Sequence, residues 1–256
     1  PPVLAARAYR VPVVLHEANA VPGKAIDYLA RFSVCVDISF PSTAKWLPNV
    51  KTCFTGLPVR NGLAGQKPYD EVPEGVFTVF VTGGSQGARS VNALTSQAFA
   101  LLKQDQPKPF FVIHQCGRLD EGNLRDFYHA NGIDAKVSAF LPDMGRAFAS
   151  ADLVICRAGA STCFELCLLG KPALLIPLPS AVRNHQHLNA EAMVKAGGAD
   201  ECIQSEMTPR SLMRYISQKM SNPFRLKEMG LAIKSCAVPD AAEKVADSLE
   251  SAAVKK

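Results

Sequence analysis

FTVFVTGGSQGARSVNALTSQAFALLK, Phe77 to Lys103, decides the fold. Its first six residues are apolar or β-branched without interruption, as a strand buried on both faces must be. A glycine-rich turn, Gly83 to Ala88, follows. From Ser90 the apolar residues recur at helical spacing. Strand, tight turn and helix form the repeating unit of a parallel α/β sheet with right-handed crossovers. The same pattern returns at Leu153 to Leu169, where LVIC passes through RAGAS into TCFELCLL.

Working outward, further strands are expected at Val11–Leu15, Val34–Phe40, Thr52–Thr55, Phe110–Gln115, Lys136–Ala139, Ala173–Pro177 and Ala199–Ile203. Helices are expected at Ala25–Arg31, Gly122–Asn131, Met144–Ser150, Thr162–Leu169, His185–Ala196, Pro209–Ser221 and Asp240–Lys255. NGLAGQKPYDEVPEG, Asn61 to Gly75, has no periodicity and reads as an interdomain linker. The expected organisation is therefore an incomplete α/β unit over 1–60, a linker over 61–75, and a full α/β unit over 76–236. A last helix over 237–256 packs elsewhere or back on the first unit. The chain opens on Pro1 without Met and reads as an internal cut in a longer protein.

Composition narrows the function. Lys plus Arg number 28 against 23 Asp plus Glu, a net charge of +5, which suits anionic substrates or an anionic membrane surface. A solvated, mildly basic surface fits equally well. Nucleic acid is not expected, because no basic cluster interleaves with aromatics and Trp46 is the single tryptophan. No apolar run reaches the ~18 residues of a bilayer span. The eight cysteines form no CxxC pair and read as free thiols. Cys163 and Cys167 share a helix face, but no further ligand joins them, so no metal site is expected.

Five constellations carry chemistry. GGSQGA, Gly83 to Ala88, places glycines and Ser85 before a helix N-terminus, a phosphate cradle in outline or simply a tight turn. RAGASTCFE, Arg157 to Glu165, offers a second such terminus. Ser161 or Thr162 would cap it, and Glu165 either accepts from a ribose diol or completes a capping box with Thr162. PLPSAVRNHQHLNA, Pro177 to Ala190, puts Asn184, His185, Gln186 and His187 where a strand ends, either as sugar ligands or as a solvated helix start. HEANAVPG, His16 to Gly23, supplies His16, Glu17 and Asn19 at another strand end. GLPVR, Gly56 to Arg60, ends on an arginine able to pair with a diphosphate.

Together with FLPDM, Phe140 to Met144, these runs in this order resemble the MurG family of UDP-N-acetylglucosamine transferases, over nearly the whole chain. The resemblance implies a GT-B fold of two Rossmann-like domains, the first incomplete by roughly 90–100 residues. It implies inverting transfer of N-acetylglucosamine from UDP-N-acetylglucosamine to the C4 hydroxyl of undecaprenyl-linked muramyl-pentapeptide. The place of action would be the cytoplasmic face of the bacterial inner membrane, peripherally bound, with no obligatory metal or other cofactor. It places Asn19 on the N-acetylglucosamine, Arg60 and Ser85 by the diphosphate, and the Leu141 backbone on the uracil. Ala160, Ser161, Thr162, Cys163, Phe164 and Glu165 would surround the nucleotide, with Glu165 on the ribose, and Gln186 would meet sugar hydroxyls. The family's opening glycine-rich loop with its candidate base is not in the sequence, which leaves His16 and Glu17 as weak catalytic candidates. The implied chain binds donor and transfers poorly. The family commonly shows His and acidic residues before His-Gln, where this chain has Pro-Ser-Ala-Val-Arg-Asn. Alternatives are another GT-B-like UDP-sugar enzyme, such as a 2-epimerase, and a non-catalytic donor-binding fragment acting as a partner or regulator.

Overall fold

A computed structural model describes residues 2–105 and 108–254. Two parallel sheets organise them. The first has the order β1 (Val14–Glu17), β2 (Cys35–Ile38), β3 (Thr52–Phe54). The second has the order β6 (Ala135–Ser138), β5 (Phe110–Gln115), β4 (Phe77–Thr82), β7 (Leu153–Cys156), β8 (Ala173–Leu175), β9 (Ala199–Glu201). The chain leaves β4 toward β5 and β6, then returns to the other side of β4 at β7. That reversal is a topological switch point, where strand-end loops diverge and leave a crevice.

The second sheet is buried on both faces, which explains its unbroken apolar strands. Val79 and Val81 enter one core cluster with Val91, Phe99, Leu102 and Leu212. Phe80, between them, enters the other with Phe148, Phe164 and Leu166. Each such side chain, fully buried, contributes roughly 1.5–3 kcal/mol. The helices that supply these layers are α3 (Arg89–Asp105), α4 (Glu121–Ala130), α5 (Met144–Ser150), α6 (Ala160–Leu169), α7 (His185–Lys195) and α8 (Pro209–Met220).

Several expectations are corrected. β1 begins at Val14 rather than Val11, because the chain before it is committed to α1 (Pro2–Ala8): Val11 N–H donates to Ala6 C=O at 2.8 Å. The expected helix at Ala25–Arg31 divides into α2 (Lys24–Leu29) and a 3-10 turn, Ala30–Phe32. α9 (Pro223–Lys234) was not expected at all. Asn222 caps it by accepting from Arg225 N–H, Pro223 sits at its first turn, and Leu226, Met229 and Ile233 form its buried stripe. The last helix, α10 (Ala241–Ala253), lies against β1 and β2 of the first sheet. Lys255, at the end of the helix expected there, lies outside the described residues.

The segment Asn61–Gly75 has no regular secondary structure, but it is strapped to the second unit rather than spanning open solvent. Leu63 and Tyr69 are buried. Tyr69 N–H donates to Ser150 Oγ at 2.9 Å, and its hydroxyl donates to Asp143 Oδ1 at 2.7 Å. Arg146 and Lys136 both lie against the Tyr69 ring, while pairing with Asp70 and Glu71 of the same segment.

Candidate functional site

The crevice at the switch point is built from backbone first. β4 and β7 are neighbours with Thr82 opposite Cys156, so the turns that follow them stand side by side. GGSQGA leaves β4 with Gly84 N–H donating to Thr82 Oγ1, and Gly87 N–H closes the turn on Gly84 C=O. Gly87 has φ +72°, and a Cβ there would sit 1.9 Å from Cys116 C=O. That glycine is required by packing against the β5 turn, whatever the loop binds. Ser85 is exposed at the tip.

α6 starts earlier than expected. Its N-cap is Gly159, which makes no side-chain cap bond, and Cys163 N–H is the first amide to close on Gly159 C=O. Ser161 and Thr162 therefore lie inside the first turn instead of capping it, and the capping box with Glu165 does not form. The amides of Ala160, Ser161 and Thr162 sit at the positive end of the helix, where an anion is favoured. Cys163 and Phe164 do not offer side chains to a ligand. Cys163 is fully buried, and the Phe164 ring packs edge-on against Phe40 of the first unit at 5.0 Å.

Glu165 is buried one turn into α6. Burial pushes its carboxyl up from the ordinary glutamate range, and the Arg60 guanidinium, 3.0 Å away, pulls it back. Arg60 is half exposed, so the pair joins a fixed carboxylate to a movable cation. The sequence reading gave these two residues to different parts of a ligand. The structure brings them onto each other.

Four buried side chains, given no role by the sequence, hold the turns in place. Gln115, at the end of β5, donates to Gly84 C=O at 3.1 Å and accepts Leu141 N–H at 3.1 Å. The Leu141 amide is thus taken, and a base edge at Leu141 would have to meet its carbonyl. Asn92 on α3 donates to Cys116 C=O and to Asp120, and accepts from His114. Because both Asn92 amide hydrogens are spent, His114 donates through Nε2 and accepts the Tyr128 hydroxyl at Nδ1. Complete burial lowers the His114 pKa to about 3 and keeps it neutral. Arg157 donates to Ile176 C=O at 3.0 Å, Pro177 C=O at 3.1 Å, Ser90 Oγ at 2.9 Å and Gln204 Oε1 at 2.7 Å. It therefore ties the end of β7 to the loop after β8 and to the start of α3.

The first unit supplies the opposite wall. Glu17 is buried, and its carboxylate accepts from Asn19 N–H, Asn19 Nδ2 and Gly23 N–H. His16 Nε2 lies 3.0 Å from Gly56 C=O. Both weak catalytic candidates are therefore engaged in holding backbone. Asn19 reaches across the crevice, where its Oδ1 accepts from Asn189 Nδ2 of α7 at 3.1 Å. Asn189, fully buried, also accepts Ala20 N–H and donates to Ala158 C=O.

The loop after β8 makes a second crossing. Arg183 and Asn184 both hold left-handed backbone, φ +52° and +57°, which costs a non-glycine residue roughly 1 kcal/mol or more. Arg183 donates to Asp27 Oδ2 at 2.7 Å and Pro22 C=O at 3.1 Å. Gln186 folds back, so that its Oε1 accepts Leu178 N–H and its amide group is left as a donor. His187 pairs instead with Glu201 at 2.6 Å, and His185 Nδ1 lies 2.8 Å from Val182 C=O.

Residues 78–245 match the glycosyltransferase family 28 C-terminal domain. The chain belongs to that family. It is 38% identical over 253 residues to the "UDP-N-acetylglucosamine--N-acetylmuramyl-(pentapeptide) pyrophosphoryl-undecaprenol N-acetylglucosamine transferase" of Solibacter usitatus, covering 99% of this chain and 68% of that one. The crystal structure of MurG from Acinetobacter baumannii superposes with a TM-score of 0.79 at 32% identity, covering 97% of this chain and 69% of that one. The crystal structure of UDP-GlcNAc 2-epimerase from Neisseria meningitidis superposes with a TM-score of 0.69 at 13% identity, covering 97% of this chain and 72% of that one. That second likeness is one of fold alone. The family-28 chain is thus a GT-B glycosyltransferase with parallel sheets, and its domain match falls on the second unit.

Proposed function

We propose that this chain transfers N-acetylglucosamine from UDP-N-acetylglucosamine to the C4 hydroxyl of undecaprenyl-linked muramyl-pentapeptide, with inversion, in peptidoglycan synthesis. The observation that carries the reading is the uncapped N-terminus of α6 beside GGSQGA, with the Arg60–Glu165 pair at its mouth. The donor's diphosphate meets amides and the Ser85 hydroxyl, and its ribose diol takes the Glu165 carboxylate. Arg60, released from Glu165, follows the diphosphate and stabilises charge on the departing UDP. Asn19 and the free amide of Gln186 hold the sugar, and the Leu141 carbonyl meets the uracil. The diphosphate is served by helix amides and arginine, so the reading needs no obligatory metal. General-base work on the acceptor hydroxyl is not given to His16 or Glu17, since both hold backbone groups.

Among the described residues no helix is long and apolar enough to cross a membrane. The reading places the chain at the cytoplasmic face of the inner membrane through its lipid-linked acceptor and net charge of +5. The test is incubation with labelled UDP-N-acetylglucosamine and a lipid-linked acceptor. Label should enter the lipid fraction, and calorimetry should show donor binding. Label recovered only as the free manno-epimer would sink the transferase reading in favour of the epimerase. Donor heat without any transfer would reduce the chain to a donor-binding fragment.

A further inference from the structure

One face of the first sheet gathers a second set of reactive groups. Asp37 stands in the middle strand, with Cys53 opposite it in β3 and Cys35 two residues before it in β2. Two residues along a strand share a face, so all three side chains meet on one side. One ligand atom from each lies within 4.8 Å of the other two, and the Cys35 and Cys53 sulfurs are 3.0 Å apart. Asp37 is wholly buried. Its Oδ1 accepts from Ser248 of α10 at 2.7 Å, while its Oδ2 has no hydrogen-bond partner. A buried carboxylate oxygen without a partner is costly, and a carboxylate in such a place is normally paired or bound to a metal.

A disulfide answers the geometry less well. Cys53 is in register with Asp37, not with Cys35, so the two cysteines are diagonal neighbours. Strands about 4.8 Å apart and a two-residue offset of about 6.6 Å put such Cα atoms roughly 8 Å apart, beyond the usual span of a disulfide. A disulfide would also leave the Asp37 oxygen as it is. A metal ion resolves both points, because two sulfurs and a carboxylate oxygen suit Zn2+ at about 2.3 Å and 2.0–2.2 Å. The sulfurs need to part by about 0.7 Å to reach tetrahedral spacing, within the reach of side-chain rotation.

We propose that Cys35, Cys53 and Asp37 form a binding site for one borderline-soft divalent cation of the Zn2+ class, with a water as fourth ligand. On binding, both S–H bonds break, the two protons pass to solvent, and the sulfurs bind as thiolates. Cys53 is half-buried and gives the ion its way in. Ser248 orients the carboxylate from outside the coordination sphere, as second-sphere hydrogen bonds commonly do. The site joins β2 and β3 to α10, so it fastens the last helix to the first sheet.

The experiment loads the full chain with Zn2+, dialyses it, and counts metal per chain by mass spectrometry of the elements. Co2+ loading then reads thiolate coordination from its charge-transfer absorption. Wild type should hold about one ion per chain with that absorption. Cys53→Ala and Asp37→Asn should each lower the retained metal at least tenfold, and Ser248→Ala should weaken affinity by about tenfold. Cys236→Ala, at the other half-buried thiol, should change nothing. In unmodified protein, Zn2+ should also shield Cys35 and Cys53 from alkylation, a readout that does not depend on any variant folding. The proposal is overturned if wild type keeps no ion, if the ion leaves with Cys236→Ala, or if alkylation is unshielded. Peptides of Cys35 and Cys53 joined with the loss of two hydrogens would overturn it as well.

Discussion

The two walls of the crevice are held by different physics. On the second unit, the turns after β4, β5 and β7 are locked from behind by Gln115, Asn92, His114 and Arg157, all buried and neutral apart from Arg157. What they present to a ligand is mostly backbone. On the first unit, Asn19, Arg60 and Asp27 reach the crevice through side chains, and their partners lie on the opposite wall. One wall is pre-organised and has little to rearrange, whereas the other must exchange partners when a ligand enters. Binding strength should therefore be sensitive to the buried supports of the first kind, and closure to the exposed pairs of the second.

The sharpest way to break the rigid wall is acid. His114 is neutral in the fold with a pKa of about 3, against an ordinary 6.5. Between those values the unfolded chain takes up a proton that the folded one refuses. Its contribution is therefore intact above about pH 6.5 and is lost as pH falls toward 3, at about 1.4 kcal/mol per unit. Denaturant titrations across that window should show the slope in wild type and a shallower one in His114→Gln. Parallel slopes would mean that His114 is not buried neutral.

Removing Arg157 tests the same wall at constant pH. Arg157→Met keeps the stem but strands the Ile176 and Pro177 carbonyls, and should cost roughly 2–4 kcal/mol of stability. Donor affinity should fall with it, because the loop carrying Gln186 and the start of α3 lose their common anchor. Unaltered thermal unfolding together with unaltered donor binding would remove Arg157 from the support network. Glu165→Gln is smaller and more selective. It keeps the shape, frees Arg60, and should weaken UDP-N-acetylglucosamine about 10- to 100-fold by calorimetry, while the unfolding temperature changes little.

The contrast also explains what the sequence made legible. β4, β5, β7 and α5 were readable to the residue, because unbroken apolar runs and a compact helical stripe leave no other register. The start of α6 was misread, since Ser161 and Thr162 look like caps and the true cap, Gly159, contributes only backbone. The helix α9 has no counterpart in the sequence reading, and Pro223 sits at its start, where proline fits. Motif residues such as Ser85, Arg60 and Glu165 can be singled out in the sequence because strand-end chemistry is local in sequence. The Arg60–Glu165 pairing cannot, because the partners are 105 residues apart. The grouping of Cys35, Asp37 and Cys53 stayed hidden for the same reason, since only strand pairing makes them neighbours.

The smallest expected effect is at the second crossing, and it separates closure from binding. Arg183 and Asp27 are 156 positions apart and partly exposed, 37% and 44%. An exposed ion pair of this kind contributes about 0–1 kcal/mol, so Arg183→Ala should leave global stability nearly unchanged. The left-handed backbone at Arg183 and Asn184 is harder to explain by stability alone. It aims the guanidinium at α2 while Gln186, three residues on, stays over the crevice. Losing the latch should therefore raise the donor KM a few-fold with kcat little changed. The exchanged pair, Asp27→Arg with Arg183→Asp, should recover part of that loss. Salt offers an independent check, because the wild-type advantage should shrink as ionic strength rises while the Asn19–Asn189 crossing, between neutral groups, holds. If the exchange restores nothing and salt has no effect, the strained loop serves Gln186 directly, and the flexible wall reduces to Asn19 and Arg60.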